Sequence, residues 1–324
     1  MTNNDTQKEK GLKIILLKPR GFCAGVDRAL DTVDTALKLF SAPIYVKHEI
    51  VHNKFVVKRL TARGVIFVEE LSEVPDGAIV IFSAHGVPKS TRQEAVRRSL
   101  RIIDATCPLV TKVHSEVINL ANHGCEIILI GHKGHGEVIG TLGQLADGSI
   151  KLISSVNDAM TVQINNPNKV GYVTQTTLSI ENTKEIISVL KSRFPNIQVP
   201  PKYDICYATQ NRQNAVKTLI GKADILLIIG SKNSSNSNRL AEVSKAHNLP
   251  AYLIDSPEEI LPSWLKNVKR VGLTAGASAP EGIVQDTIAY LANNYGAHLE
   301  ELVTKEEKVK FSLPNEFKSM IEKK

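Results

Sequence analysis

The sequence predicts an α/β protein made of three similar units with mostly parallel sheets. Three observations lead there. Short runs of Ile, Val and Leu occupy consecutive positions instead of alternating, as in strands covered on both faces. They lie at Lys13–Leu17, Ile44–Lys47, Val65–Glu69, Ala78–Phe82, Glu126–Ile130, Lys151–Ser154, Val170–Val173, Ile225–Ile229, Ala251–Ile254 and Arg270–Leu273. Segments of helical spacing, Val26–Phe40, Val110–His123 and Asn211–Lys222, fall between such runs. The order strand, cysteine, helix recurs three times, at Cys23, Cys107 and Cys206.

Each recurrence continues in the same way. The helix leads to a strand and a polar loop: Lys47–Asn53, Gly131–Glu137 and Gly230–Asn238. A helix, a strand and a short acidic or Ser-led segment follow: Leu71–Glu73, Ser155–Asp158 and Ser256–Glu259. In the last of these, Ser256, Pro257 and Glu259 suit N-cap, N1 and N3 of a capping box. A further strand ends in a second polar loop: Ser83–Gly86, Thr174–Ser179 and Ala275–Ala279. The first loops put His52 29 residues after Cys23, His135 28 after Cys107 and Asn236 30 after Cys206. The second put His85, Thr177 and Ser278 at 62, 70 and 72 residues after the same cysteines. The expected units are 1–104, 105–203 and 204–300, with 301–324 a tail that docks through Phe311, Leu313 and Phe317. Three like units are expected to pack pseudo-threefold, bringing the cysteines and polar loops to the carboxyl ends of the strands around one cavity.

Composition narrows the function. The chain has 324 residues, 42% hydrophobic and 23% charged, which excludes a largely disordered chain. No run of about 18 apolar residues exists, so no membrane span or membrane partner is expected. Met1–Lys10 carries Asp5 and Glu9 and no apolar run, so no leader is expected there. The 40 Lys and Arg exceed the 33 Asp and Glu, giving +7. They are spread along the chain, and with 5% aromatics there is no basic cluster interleaved with rings, so no nucleic acid is expected. Four cysteines are too few for a disulfide scaffold and fit a cytoplasmic metal site.

The cysteines carry the first chemical signal. No Cys-x-x-Cys is present, and three thiolates from separate units suit zinc or an iron–sulfur cluster. Each precedes a helix, whose dipole favours the thiolate. Cys125 has no counterpart in the other units and reads as a packing residue. The polar loops supply the second signal. Ser, Thr and Asn beside glycines at helix starts host anions, and Ser234–Asn238 is the richest such loop. No Walker A motif and no Gly-x-Gly-x-x-Gly after the first strand occurs, so the anion is not a conventionally held nucleotide. His52, His85 and His135 suit hydrogen bonds to a diphosphate or proton carriage, and Glu137 a proton donor or relay. His48-Glu49-Ile50-Val51-His52 matches the zincin pattern, but it follows a strand directly, and zinc ligation in that motif needs a helix.

Pro19–Val26, His48–Asn53, Ser83–Pro88, Asp104–Pro108, Gly134–Glu137, Thr174–Ser179, Asp204–Arg212, Gly230–Asn238 and Ala275–Glu281, in that order, resemble the 4-hydroxy-3-methylbut-2-enyl diphosphate reductase family. The resemblance covers roughly residues 12–315. It implies a cytoplasmic three-unit α/β oxidoreductase that removes an allylic hydroxyl with two electrons and two protons, the last step of the methylerythritol phosphate route to isoprenoids. It implies a 4Fe–4S cluster held by Cys23, Cys107 and Cys206, with the fourth iron open to substrate. By the same resemblance His52, His85 and His135 line the diphosphate pocket, and Ser234, Ser235, Asn236 and Ser278 bind the same group, with Gln175 and Thr177 nearby. Thr176 orients the hydroxyl, Glu137 delivers protons, and His135 serves both roles. Reduced ferredoxin or flavodoxin is the implied electron donor. One departure is Gly136, where many relatives carry Pro. A zinc protein that only binds an anionic partner is the alternative from another class.

Overall fold

The structure, a computed structural model, describes residues 11–321. Residues 1–10, for which no leader is expected, lie outside the described residues. The strands are β1 (Lys13–Lys18), β2 (Ile44–Lys47), β3 (Val65–Val68), β4 (Ile79–Phe82), β5 (Arg101–Asp104), β6 (Glu126–Ile130), β7 (Ile150–Ile153), β8 (Val170–Thr174), β9 (Ile225–Ile229), β10 (Ala251–Ile254), β11 (Arg270–Ala275) and β12 (His298–Val303). The helices are α1 (Ala24–Phe40), α2 (Lys54–Thr61), α3 (Lys89–Arg97), α4 (Pro108–Asn122), α5 (Gly136–Leu142), α6 (Val156–Thr161), α7 (Ile180–Arg193), α8 (Tyr207–Lys217), α9 (Ser235–Ala246), α10 (Glu281–Tyr295) and α11 (Glu316–Ile321). No described helix is long and apolar enough to cross a membrane.

Three sheets form, and the repeat is written in their strand order. One runs β3-β2-β4-β5, the second β7-β6-β8, the third β10-β9-β11-β1-β12, with every pairing parallel. The first three strands in each have the same arrangement, the earliest of them in the middle. The chain divides into two compact units. Residues up to Gly21 with Asn211–Glu307 carry the five-stranded sheet, and Phe22–Gln210 with residues from Lys308 onward carry the other two.

The segment leading into each cysteine pairs with the sheet of a repeat other than the one that cysteine opens. β5, before Cys107, lies on β4. Gln198, before Cys206, bridges to Gly171 on β8. β1, before Cys23, lies on β11, with Lys13 opposite Arg270. Sheet pairing thus departs from the boundary that would put β1 with residues up to 104. The chain division likewise puts Cys206 with Cys23 and Cys107, although it opens the third repeat in sequence.

Burial explains why the apolar runs are strands. β4, β8 and β9 are buried at every position, and Ile, Val and Leu there pack on helices from both sides. Two strands lacked such a run. β5 is Arg-Ile-Ile-Asp with charged ends, and β12 is an edge strand, exposed along nearly its whole length, whose Glu300 and Glu301 keep it from pairing further. In the tail, Phe317 is buried, Phe311 half-buried and Leu313 exposed. The expected capping box at Ser256 does not form. Pro257–Glu259 is a single 3-10 turn, and the Glu259 amide bonds the Ser256 carbonyl at 3.2 Å instead of its hydroxyl. A box does form at Ser155, where the Asp158 amide donates to Ser155 Oγ (3.1 Å) and the Ser155 amide to Asp158 Oδ2 (3.0 Å).

Within the five-stranded unit, Arg212 is fully buried. It donates to Glu307 Oε1 and Oε2 (3.1 and 3.2 Å) and to the Gly21 carbonyl (2.7 Å). Removing one partner of a buried pair strands the other. Arg212→Met is therefore expected to destabilise the protein by about 3 kcal/mol in guanidinium unfolding. An unchanged midpoint would contradict this structural role.

Candidate functional site

Cysteine placement follows from the strand–loop–helix repeat. Cys23 is the N-cap of α1 and Cys107 the N-cap of α4, with Pro108 pre-set at its first position. Cys206 immediately precedes α8. Each of the two latter loops is stitched to a polar loop by a backbone bond. The Cys107 amide donates to the Ala84 carbonyl (3.0 Å), beside His85, and the Cys206 amide to the Thr176 carbonyl (3.0 Å).

The three sulfurs converge. A Cβ added to Gly25 would stand 2.7 Å from Cys107 Sγ and 3.8 Å from Cys23 Sγ, so only glycine leaves room there. Burial pushes the Cys107 thiol up to about 12, with Cys23 and Cys206 adding to the rise against amide bonds from Leu109 and Val110. Burial and Cys23 push Cys206 up to about 11, although the Thr209 hydroxyl (3.1 Å) and amide (3.4 Å) oppose it. The expected helix-dipole preference for thiolate is thus outweighed by burial and mutual repulsion at Cys107 and Cys206. All four cysteines are free thiols, and Cys125 is buried among Val113, Val117 and Leu120, as a packing residue should be.

His52, His85 and His135 also converge. His52 stacks on His85 with ring centroids 4.1 Å apart, and His135 stands edge-on to both at 5.5 and 5.8 Å. Burial, then the neighbouring imidazoles, hold His85 well below the usual imidazole range and push His135 down to about 4. The rings of His85 and His135 are therefore neutral near neutral pH, and a ligand that brings negative charge favours their protonation from solvent. His135 is the N-cap of α5, its Nδ1 accepting from the Glu137 amide (3.2 Å).

Glu137 is buried, and its carboxyl faces Thr176. The Thr176 amide donates to Oε1 (2.6 Å) and the Thr176 hydroxyl to Oε2 (3.0 Å). Burial pushes Glu137 up to about 7, against those two bonds and with Asp204 adding to the rise. Gln175 Nε2 donates to Thr177 Oγ1 (2.9 Å), and Gln175 Oε1 accepts from the His132 amide (3.1 Å). His132 and Asp204 are contributors that the loop offsets did not single out. Asp204 accepts from Lys112 (2.8 Å) and from the Thr174 amide (2.9 Å), which fixes the strand end that carries Gln175 and Thr176. Its position two residues before Cys206 was the available signal.

The serine loop belongs to the five-stranded unit. Ser234 is the N-cap of α9 and receives hydrogen bonds at its Oγ from Ser237 Oγ (3.0 Å) and Ser278 Oγ (3.4 Å). Asn236 Oδ1 accepts from the Ala277 amide (3.0 Å). Ser235, half-buried, opens the helix. Gly276 and Gly230 are required by this packing, since a Cβ on either would lie 2.0 and 2.2 Å from Ser237 Oγ. Hydroxyls at a helix start make an anion host.

The zincin pattern is not on a helix. His48 has φ 60° in the loop between β2 and α2, and it pairs with Glu69, while His52 Nδ1 meets Glu49 at 3.1 Å. The two imidazoles point to different partners, so the motif has no zincin geometry.

A three-sheet parallel α/β fold that carries grouped thiols, a histidine trio and a buried acid has the make-up of an enzyme. The chain belongs to the LytB protein family, whose pattern it matches over residues 14–292. It is 55% identical over 310 residues to the 4-hydroxy-3-methylbut-2-enyl diphosphate reductase of Saccharophagus degradans, covering 95% of this chain and 100% of that one. It is 55% identical over 304 residues to the Azoarcus sp. protein of the same name, covering 94% and 97%. Among solved structures, it matches the E-1-hydroxy-2-methyl-but-2-enyl-4-diphosphate reductase of Plasmodium falciparum with a TM-score of 0.93 and 43% identity, covering 97% of this chain and 99% of that one.

Two outcomes follow from the site's geometry. A dianionic or trianionic ligand beside the depressed imidazoles should raise them, so binding of inorganic pyrophosphate near pH 6 takes up protons. Calorimetry in two buffers of different ionisation enthalpy reads this, and a buffer-independent heat would contradict it. Gly136 sits at the first position of α5, after a residue in the extended region (φ −72°, ψ 136°), where proline is tolerated. A Cβ there meets only His85, at 3.4 Å. Gly136→Pro should stabilise the protein by about 0.5 kcal/mol, and a lower melting temperature would show the loop needs glycine.

Proposed function

We propose that the chain is a 4-hydroxy-3-methylbut-2-enyl diphosphate reductase, the last enzyme of the methylerythritol phosphate route. The reaction breaks the allylic C–O bond, adds two electrons and two protons, and yields water with isopentenyl or dimethylallyl diphosphate. The observation that carries this reading is the gathering of three thiols with a buried acid–threonine pair and three clustered imidazoles in one compact unit.

The thiols fit an iron–sulfur group. Two are pushed far above neutrality, so a cation is needed to hold them as thiolates, and a glycine clears the space beside them. Cys23, Cys107 and Cys206 would hold a 4Fe–4S cluster with three protein ligands, which supplies electrons in single steps and a Lewis-acidic iron for the substrate oxygen.

The chain's own residues do the rest. Glu137 keeps its proton near neutral pH, so it is an acid at the working pH. The Thr176 hydroxyl donates a hydrogen bond to Glu137 Oε2, and its oxygen lone pairs are available to orient the substrate hydroxyl. Glu137 then delivers the proton that leaves with that hydroxyl as water, and His135, whose Nδ1 meets the Glu137 amide, lies at the head of the same helix. The family resemblance assigns diphosphate binding to His52, His85 and His135, with Gln175 and Thr177 nearby, and also to Ser234, Ser235, Asn236 and Ser278. Remote binding energy then positions the reacting carbon. Reduced ferredoxin or flavodoxin is the donor by resemblance, and the +7 surplus suits an acidic partner. A cytoplasmic location fits free thiols.

The direct test is anaerobic turnover of 4-hydroxy-3-methylbut-2-enyl diphosphate with a reduced viologen, with products identified by mass. Isopentenyl and dimethylallyl diphosphate are expected, and a colourless zinc protein that binds substrate unchanged would overturn the reading. Glu137→Gln should bind substrate normally and lose about 10²-fold or more in kcat. Because the protonated acid is the active form, the rate should fall as pH rises through about 7. The residual rate of Glu137→Gln should lack that limb; if it keeps the limb, another group is the donor.

A further inference from the structure

The side chain of Arg28 joins three pieces of chain that lie far apart in sequence. Arg28 is on α1, five residues after Cys23, about one and a half turns along the helix. Its Nη1 donates to the Thr106 carbonyl (2.9 Å) and its Nη2 to the Asp104 carbonyl (3.2 Å), both on the loop that ends at Cys107. Its Nε donates to the Ser312 carbonyl (2.8 Å), in the segment before α11. That loop is stiffened further. Asp104 Oδ1 accepts from the Thr106 amide (2.9 Å), and Asp104 Oδ2 pairs with Arg92.

The segment from Phe311 to Phe317 is a strap across this place. Pro314 and Phe317 are buried, and Phe317 joins the core formed by Val26, Ala29, Ile103 and Ala105, on which Cys23 also packs. Between the strap and Arg28 lies a cleft of about 350 Å³. The guanidinium donates to three main-chain carbonyls. Only the planar five-donor fork of arginine spans three such acceptors.

We propose that Arg28 and the strap form a clamp that positions the Cys23 and Cys107 sulfurs for the iron–sulfur group and sets how long that group survives. Arg28 is a positioning residue and touches neither substrate nor reacting atoms. The inference rests on the cluster reading above and adds a function for the C-terminal segment. Groups that hold metal ligands in place change metal retention by about 10–100-fold when removed, and Arg28 holds the Thr106 carbonyl next to Cys107.

The experiment uses the anaerobically reconstituted protein. Native chain, Arg28→Lys, Arg28→Met, a chain ending at Lys310 and the combination of Arg28→Met with that truncation are compared. Iron per chain and the decay of the visible absorbance in air are read, with thermal unfolding of the apoprotein as a control. Arg28→Met and the truncation should each speed cluster loss about tenfold, and Arg28→Lys should lie between. The combination should be no faster than either, because both act through one contact. A peptide spanning residues 308–324 should slow the loss in the truncated chain and not in Arg28→Met, which a general loss of stability would not produce. Cluster lifetimes equal to the native one, additive losses, or a peptide without effect would overturn the clamp. If the truncated chain fails to fold, the order native, Arg28→Lys, Arg28→Met decides, and equal lifetimes overturn it. A native chain that takes up no iron would instead overturn the cluster reading.

Discussion

Three half-buried thiols brought together in one compact unit are the constraint on which the rest of the structure depends. Burial and mutual repulsion push Cys107 and Cys206 up to about 12 and 11, so neither is a thiolate near neutral pH on its own. The convergence is built from loops that each lead from an extended segment into a helix. Cys23 and Cys107 cap two of those helices, Cys206 precedes a third, and Gly25 clears the space between two of the sulfurs.

The second polar groups share the same unit and the same cause. Burial that penalises charge leaves Glu137 with its proton near neutrality and the imidazoles of His85 and His135 without theirs. An acid that keeps its proton and bases that have lost theirs are what a reaction needs when it consumes protons and starts from a diphosphate. The backbone bond from Cys206 to the Thr176 carbonyl ties the thiol loop to the acid's partner, so a shift in either moves both.

Much of this was legible in the sequence. The apolar runs marked ten strands, because buried strands keep Ile, Val and Leu on consecutive positions. The matched loop offsets picked out His52, His85, His135 and Thr177 with the cysteines. What escaped had a physical reason. β12 is an edge strand whose exposed face holds charges, and β5 is four residues with charged ends, so neither shows an apolar run. The pairing of β1 with β11 joins residues more than 250 apart, and no local pattern encodes a partner at that distance. Asp204, His132 and Arg28 make their contacts with chain segments distant in sequence, so no local spacing marked them.

The measurement that bears most directly on the central claim is iron and acid-labile sulfide per chain in anaerobically purified protein. It should be made for the native chain and for each cysteine changed singly to serine. The account predicts equal iron and sulfide at 4Fe–4S stoichiometry in the native chain and in Cys125→Ser, with loss of both in Cys23→Ser, Cys107→Ser and Cys206→Ser. Zinc in place of iron, or loss of the group in Cys125→Ser with retention in any of the other three, would contradict it.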